Sequence, residues 1–370
     1  MIEVSNAWKE IQNQTLLPET FVEITHISDN GDEQTFTKAD LMSFQHKQSV
    51  DLLSATLPSS EVVFSLRNDD YRWNPDYPTG STQFLLEKQK IVVRYGMYVN
   101  DDIEWIKGGT FWLSEWDTPT NGLEASFTAK DAFSFMDIIY DGKRAGTLYD
   151  IAIDAFTRAK LPMMEDGSVR YMVDASLKDY FTDFSENTQE YSIAEILQMV
   201  ANAGGCVLYQ DRDGMIHLEP RDVSYRGYVL EPKISYNHPE YTINKQLKSV
   251  SVSYGDNRRE EVSVTTKGEI QTIDNPLIVT KNDAARVAEF VKDILLNRKV
   301  VSGDFRADLR IDALDNIIVI SKYASNTIAI TDVSYSTTGG AFKGTYTGRV
   351  ASVEVNNRAY FSGELYAGEV

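Results

Sequence analysis

Apolar and polar residues alternate singly over most of this chain, and in only three places does the period lengthen to that of a helix. A period of two sorts side chains onto the two faces of a pleated strand, so the chain must bury sheet faces. Phe21-Val22-Glu23-Ile24-Thr25 alternates and meets the turn Ser28-Asp29-Asn30-Gly31. Glu61 to Leu66 is a second strand, followed by Arg67-Asn68-Asp69-Asp70 and a loop holding Pro75, Pro78 and Gly80. Ile91 to Val99 turns at Asn100-Asp101 into Ile103 to Ile106. Phe111 to Trp116 and Leu123 to Ala129 form the next pair across Thr118 to Gly122. Short strands at this spacing predict a barrel or sandwich.

Near residue 144 the period changes. Thr147 can cap a helix, with Asp150 three residues on, and Leu148, Ile151, Ala152, Ala155, Phe156 and Ala159 form one stripe that Pro162 stops. A second helix opens at Ser192 with Glu195 in the capping-box position. It buries Ile193, Ile196, Leu197, Val200 and Ala201 and ends at Gly204-Gly205. A hairpin is predicted at once, Cys206 to Gln210 and Met215 to Glu219 around Asp211-Arg212-Asp213-Gly214.

From about residue 223 the alternation returns, in Lys248 to Tyr254, Glu261 to Thr265, Phe305 to Ile311, Asn316 to Ser321, Thr327 to Tyr335 and Thr345 to Val355. The turn Thr338-Gly339-Gly340 separates the last two. One helix interrupts, capped by Thr280 with Asp283 at its third position; its stripe is Ala284, Val287, Ala288, Val291, Ile294 and Leu295. The expected fold is mainly β with an α+β insert. A first β-barrel domain spans 1–143, a small α/β domain 144–222, and a second β-barrel, with the helix packed across it, 223–370.

Composition narrows the function classes. The 55 acidic and 36 basic residues give a net charge of −19. That argues against a surface that holds nucleic acid by neutralising phosphates, and against an anionic membrane as partner. Cys206 is the only cysteine, so no disulfide forms within the chain; its apolar setting predicts a small buried residue. The opening MIEVSNAWKE has neither the basic nor the apolar run of a signal peptide, and no stretch approaches the roughly 20 apolar residues of a membrane span. A soluble protein without a membrane anchor, made in the cytoplasm, is expected.

The chemistry-bearing residues form no constellation. His26, His46, His217 and His238 stand in no metal-ligand spacing and are expected as ordinary sheet or surface residues. Asp69-Asp70 and Asp101-Asp102 lie in turn contexts that favour aspartate, and Glu260-Glu261 is the third acidic pair. Asp211-Arg212-Asp213-Gly214 resembles half of a calcium loop but lacks the downstream bidentate glutamate, which leaves a hairpin turn. Trp105, Trp112 and Trp116 are expected to fill a core or a subunit interface; exposed on one face, they would instead offer a platform for cell-wall sugars. No G-x-S-x-G, Walker loop or dinucleotide fingerprint is present. No catalytic, cofactor-binding or metal-binding residue is assigned, and no cofactor is expected.

Three stretches, in this order and spacing, resemble the tail-tip or baseplate hub proteins of phages infecting Gram-positive bacteria, the prophage endopeptidase tail type. The first is Ser49-Val50-Asp51-Leu52-Leu53 with Leu57-Pro58, the strand Glu61 to Leu66, and Asn68. The second is Val93-Arg94-Tyr95-Gly96 with Gly109 to Trp116, then Phe127-Thr128-Ala129-Lys130-Asp131, the step that closes the first barrel in such proteins. The third is the helix Ser192 to Ala203 running through Gly204-Gly205 into Cys206 to Ile216; Asn275-Pro276-Leu277-Ile278 is similar to the family's approach to its last barrel. One departure stands out: such hub proteins often carry a Gly-Asp pair before the strand here written Asn316-Ile317-Ile318-Val319, and this chain has Leu314-Asp315, which puts that turn in doubt.

The resemblance implies a structural role without chemistry. It implies a homotrimer whose six barrels join a six-fold tail tube to a three-fold tip. Neighbours would be a distal tail or tube protein above and a tip or fibre protein below. DNA would pass through the ring without specific binding, in a virion assembled in the host cytoplasm. Two other classes compete with this reading, a tail-associated peptidoglycan hydrolase and a carbohydrate-binding module.

Overall fold

The computed structural model describes residues 1–355 except 15, 78–80, 82–84, 119–121, 224–227, 256–257 and 322–323, and only the backbone of 352–355. The expected loop at Pro75, Pro78 and Gly80 thus lies partly outside the described residues.

The first third forms strands β1 (Thr20–Ile27), β2 (Glu33–Phe36), β3 (Leu41–Ser49), β4 (Ser59–Arg67), β5 (Lys90–Val99), β6 (Asp102–Asp117) and β7 (Glu124–Lys130). A helix that the alternation did not predict, α1 (Asn6–Gln12), precedes them. Ser5 caps it, its hydroxyl accepting the Trp8 amide at 3.1 Å, and Trp8 is fully buried. Strand β6 was expected as two pieces; Gly108-Gly109 lets one strand run through with a bulge opposite Val93 and Arg94.

The middle contains β8 (Ala145–Thr147), α2 (Leu148–Ala159), β9 (Tyr171–Val173), β10 (Phe181–Asp183), α3 (Ile193–Gly204), β11 (Val207–Gln210) and β12 (Ile216–Glu219). Both predicted capping boxes form, Thr147 with Asp150 and Ser192 with Glu195. Both predicted stripes are buried. Gly205 ends α3 at φ +68°, a left-handed position where glycine costs least.

The last third supplies β13 (Val229–Leu230), β14 (Glu240–Ile243), β15 (Leu247–Tyr254), β16 (Arg258–Ser263), β17 (Glu269–Ile273), α4 (Lys281–Leu295), β18 (Lys299–Arg306), β19 (Asn316–Ile320), β20 (Ala324–Thr337) and β21 (Lys343–Val355). The strand expected over Phe305 to Ile311 stops at Arg306; residues 307–311 cross the interior as a buried turn instead.

The two β-rich ends are not separate barrels. Their strands join into one ladder of order β14-β18-β21-β20-β3-β4-β7-β6-β5-β1-β2, with β19 on β20 and β13 on β19. The joint is β20 on β3, Asp332 opposite Ser49 through Thr337 opposite Phe44. Among the described residues the ladder does not close on itself. Alternation shows which face of a strand is buried but not which strand lies beside it, so this pairing was not legible.

The apolar interior has two parts. One unites both ends of the chain, with Ile24, Phe44, Phe64 and Tyr95 against Phe305, Ile328, Tyr335 and Phe342. The other gathers α2, α3 and the β11–β12 hairpin with β15 and α4. Helix α4, expected across the second barrel, packs on β15 and β16 and against α3. Its apolar stripe therefore seals the helical layer.

Candidate functional site

The two layers meet at a polar seam, built where the β11–β12 turn enters the sheet. The turn is the predicted Asp211 to Gly214, and Gly214 (φ +80°) is required there because a side chain would strike the Arg170 guanidinium. It places Arg212 in the interior. Arg212 Nε donates to both carboxylate oxygens of Asp312, at 3.0 and 2.9 Å. Its Nη1 donates to the Lys107 carbonyl at 2.7 Å, and its Nη2 to the carbonyls of Leu309 and Ile311 at 2.8 and 3.2 Å. Burial works against this charge and Asp312 more than offsets it, so the guanidinium is held above its ordinary pKa.

Sheet residues complete the seam. Gln48 on β3 donates to Asp312 at 3.0 Å and accepts the Ala313 amide at 3.0 Å. His46, two residues earlier and on the same face, lies 2.7 Å from the Tyr95 hydroxyl through Nδ1 and 3.1 Å from Ser60 Oγ through Nε2. Tyr335 donates to the carbonyls of Asp308 and Ile311, and Arg310 forks onto the buried Asp308 carboxylate at 2.8 and 2.5 Å. Asp131, at the step from sheet to helical layer, accepts the Ser60 amide at 2.5 Å and the Phe133 amide at 3.2 Å. A cleft of about 630 Å³ opens over this seam; eight Asp or Glu residues line it against Lys107, Arg212 and Arg221.

Ser60 beside His46 has the outline of a nucleophile and its base, but the chemistry fails. Burial, reinforced by Arg212, pushes the imidazole down to about 3, so it stays neutral and is too weak a base to draw a proton from a serine near neutral pH. Its other nitrogen meets a tyrosine hydroxyl and not a carboxylate. Asp131 is pushed up to about 7, chiefly by burial, and its two oxygens are committed to backbone amides.

The residues singled out in the sequence are dispersed. His26 is buried against Gln89 at 2.8 Å; His217 pairs with Asp211 at 2.8 Å and stacks on Tyr209; His238 is exposed. Asp70 pairs with Arg72 and Glu260 with Lys281, and Asn100-Asp101 forms the left-handed turn between β5 and β6. Cys206 is buried as expected, its thiol pushed up to about 12 by desolvation. The tryptophans share no exposed face: Trp112 lies in the helical-layer core, Trp116 packs on the sheet core, and Trp105 is half-buried under Arg94. That overturns the sugar platform.

Sequence reasoning missed Arg212, Asp312, Gln48 and the Asp308–Arg310 pair. The only local signal was the spacing Asp308-x-Arg310, which alternation absorbed into a strand. The departure at Leu314 resolves differently. Leu314 adopts φ +72°, the left-handed conformation a glycine would take freely, so the turn persists without the glycine.

No protein-family model matches the chain, and no curated protein matches it in sequence. Solved structures do. The chain has the fold of prophage tail proteins. It is similar to the 43 kDa tail protein of prophage MuSo2 from Shewanella oneidensis, with a TM-score of 0.58 at 10% identity over 89% of this chain and 98% of that one. It is also similar to a tail protein from Neisseria meningitidis MC58, with a TM-score of 0.57 at 10% identity over 89% and 96%. Prophage tail protein gp18 from Listeria monocytogenes EGD-e matches with a TM-score of 0.51 at 11% identity over 92% and 95%.

Proposed function

We propose that this chain is the structural hub of a phage or prophage tail, three copies forming a ring that joins a six-fold tube to a three-fold tip. The observation that carries the reading is a fold shared with prophage tail proteins over nearly the whole of both chains. The strand ladder supports it. Each copy holds its two β-rich ends side by side through β20 and β3, so three copies supply six β-units around an axis. In this reading the segments 1–143, 144–222 and 223–370 are the inherited modules, with the last shared between sheet and helical layer.

The hub acts by fitting and not by catalysis: the seam's Ser60–His46 contact lacks a working base. Tail proteins above and below are its partners, and the virion is its place. A net charge of −19 suits a ring that DNA must traverse, since each basic contact to phosphate would add affinity and slow passage. The test is imaging of purified protein together with incubation on bacterial cell walls. Three-fold rings and an unchanged wall suspension are expected; clearing of the walls would replace the hub with the hydrolase.

A further inference from the structure

We infer that the exposed face of the β20–β3 joint is the channel wall past which DNA slides. This rests on the ring reading above and names the surface that the duplex meets.

Facing residues of antiparallel neighbours share one face of a sheet, so the registers of β18, β21, β20, β3 and β4 lay out this surface. Its centre is Ser334, between Thr345 of β21 and Lys47 of β3. The side chains are mostly short and uncharged. The hydroxyls of Ser334 and Thr345 lie 3.1 Å apart, and Ser49 donates to Asp332 at 2.7 Å. Each lysine has an acid beside it: Lys343 pairs with Asp304 at 2.9 Å, and Lys47 stands directly opposite Glu61. Two lysines against Asp304, Asp332 and Glu61 leave one net negative charge. None of these residues is buried. Among the described residues the helical layer meets the sheet elsewhere. Gln198 and Asn202 bond the Ala55 and Leu53 carbonyls beyond the end of β3, and Arg212 enters on the core side.

The ladder has a second outer face. Tyr95 of β5 packs against Phe44 of β3 and Tyr335 of β20, so β5 lies across the core from the joint. A joint that sets β-units side by side around an axis turns one of these two faces inward and the other outward. Charge and bulk choose between them. On the β5 side Arg94 and Lys107 stand directly opposite one another, 45% and 69% exposed, with Glu23 and Asp213 flanking them. Such a cation pair can hold phosphate, because each contact that releases counterions adds affinity. Phe21 and Trp105 project from the same face and would narrow an opening. The serines and threonines of the joint keep the opening wide, and a slight negative excess repels the duplex.

The test is the distance between spin labels on equivalent sites of the ring, with mass by light scattering as the assembly control. Cys206 is buried, so the label goes to an introduced cysteine. Ser334→Cys reports the joint, and Thr25→Cys reports the other face, where Thr25 of β1 stands opposite Val92 of β5. In a three-fold ring, equivalent labels nearer the axis are nearer one another. A shorter distance for Ser334→Cys than for Thr25→Cys is expected. An equal or longer one overturns the wall and leaves the ring standing. A wild type of one chain mass overturns the ring, and the wall with it. If a cysteine variant does not assemble, DNA decides. Rings carrying Ser336→Lys and Thr345→Lys should hold a short duplex about tenfold or more tighter than wild type at low salt. They should lose it when streptavidin caps both duplex ends before mixing. Capped and free duplex held alike, or neither held, overturns the wall.

Discussion

The helical layer and the sheet layer bury comparable apolar cores but manage polar groups in opposite ways. In the helical layer, α2, α3 and α4 place their capping groups at the ends, on residues three positions apart, and line the interior with Leu197, Ile151, Val287 and their neighbours, with the neutral Asn202–Asn275 hydrogen bond buried among them. The sheet layer takes charge inside: Asp308, Arg310 and Arg306 are nearly inaccessible, and Arg212 enters from the other layer to meet Asp312. The difference teaches where specificity comes from. An apolar stripe tolerates sliding, whereas a guanidinium with one acid and three carbonyls in reach fits one docking geometry.

Breaking the seam should therefore cost the most. Arg212→Met strands Asp312 and three carbonyls, and about 3–5 kcal/mol of stability should be lost, read as the urea midpoint. Leu197→Ala removes a fully buried side chain of α3 and should cost about 2–5 kcal/mol by the same measurement; an unchanged midpoint would mean that the helical layer is loosely packed.

Acid sharpens the comparison, because the two buried titrating groups of the seam pull in opposite directions. The folded pKa of His46 is depressed from 6.5 to about 3, so its stability is present above pH 6.5 and lost as pH falls toward 3. Between pH 6.5 and 5 that loss amounts to roughly 2 kcal/mol. Asp131, raised to about 7, works the other way: its stabilising effect is present below pH 4 and lost as pH rises through 7. Between pH 6.5 and 5 the two effects nearly cancel in the wild type; His46→Gln should remove the first and keep the second, so that the variant gains roughly 2 kcal/mol over the interval in which the wild type stays nearly level. A wild-type slope retained in the variant would contradict the assignment.

Smaller effects follow at the local signals. Ser192→Ala deletes one half of a capping box and should cost about 1 kcal/mol. Leu314→Gly relieves a left-handed leucine and should raise stability by about 0.5 kcal/mol after the added freedom of the unfolded chain is counted.

The contrast also explains what was legible. Helices α2, α3 and α4, their caps, the β11–β12 hairpin and most strands were readable because their causes lie within a few residues of one another. Helix α1 was hidden in a segment dominated by alternation, and β3, the strand that joins the two ends, was not recognised as a strand. The seam was illegible for a deeper reason. Arg212 and Asp312 lie 100 residues apart, and neither carries a mark that distinguishes it from the 89 other charged residues of the chain. Only the docking of the hairpin into the sheet gives them a role. The same holds for the barrels, since one-by-one alternation describes two closed sheets and one open ladder equally well.

The central claim, a ring of three copies in a tail, is tested most directly by electron microscopy of the purified protein. The account predicts particles with three-fold symmetry, six β-lobes around an axial opening, and an acidic to neutral channel wall. Particles of one chain at every concentration, or a ring whose axis is lined mainly by lysine and arginine, would contradict it.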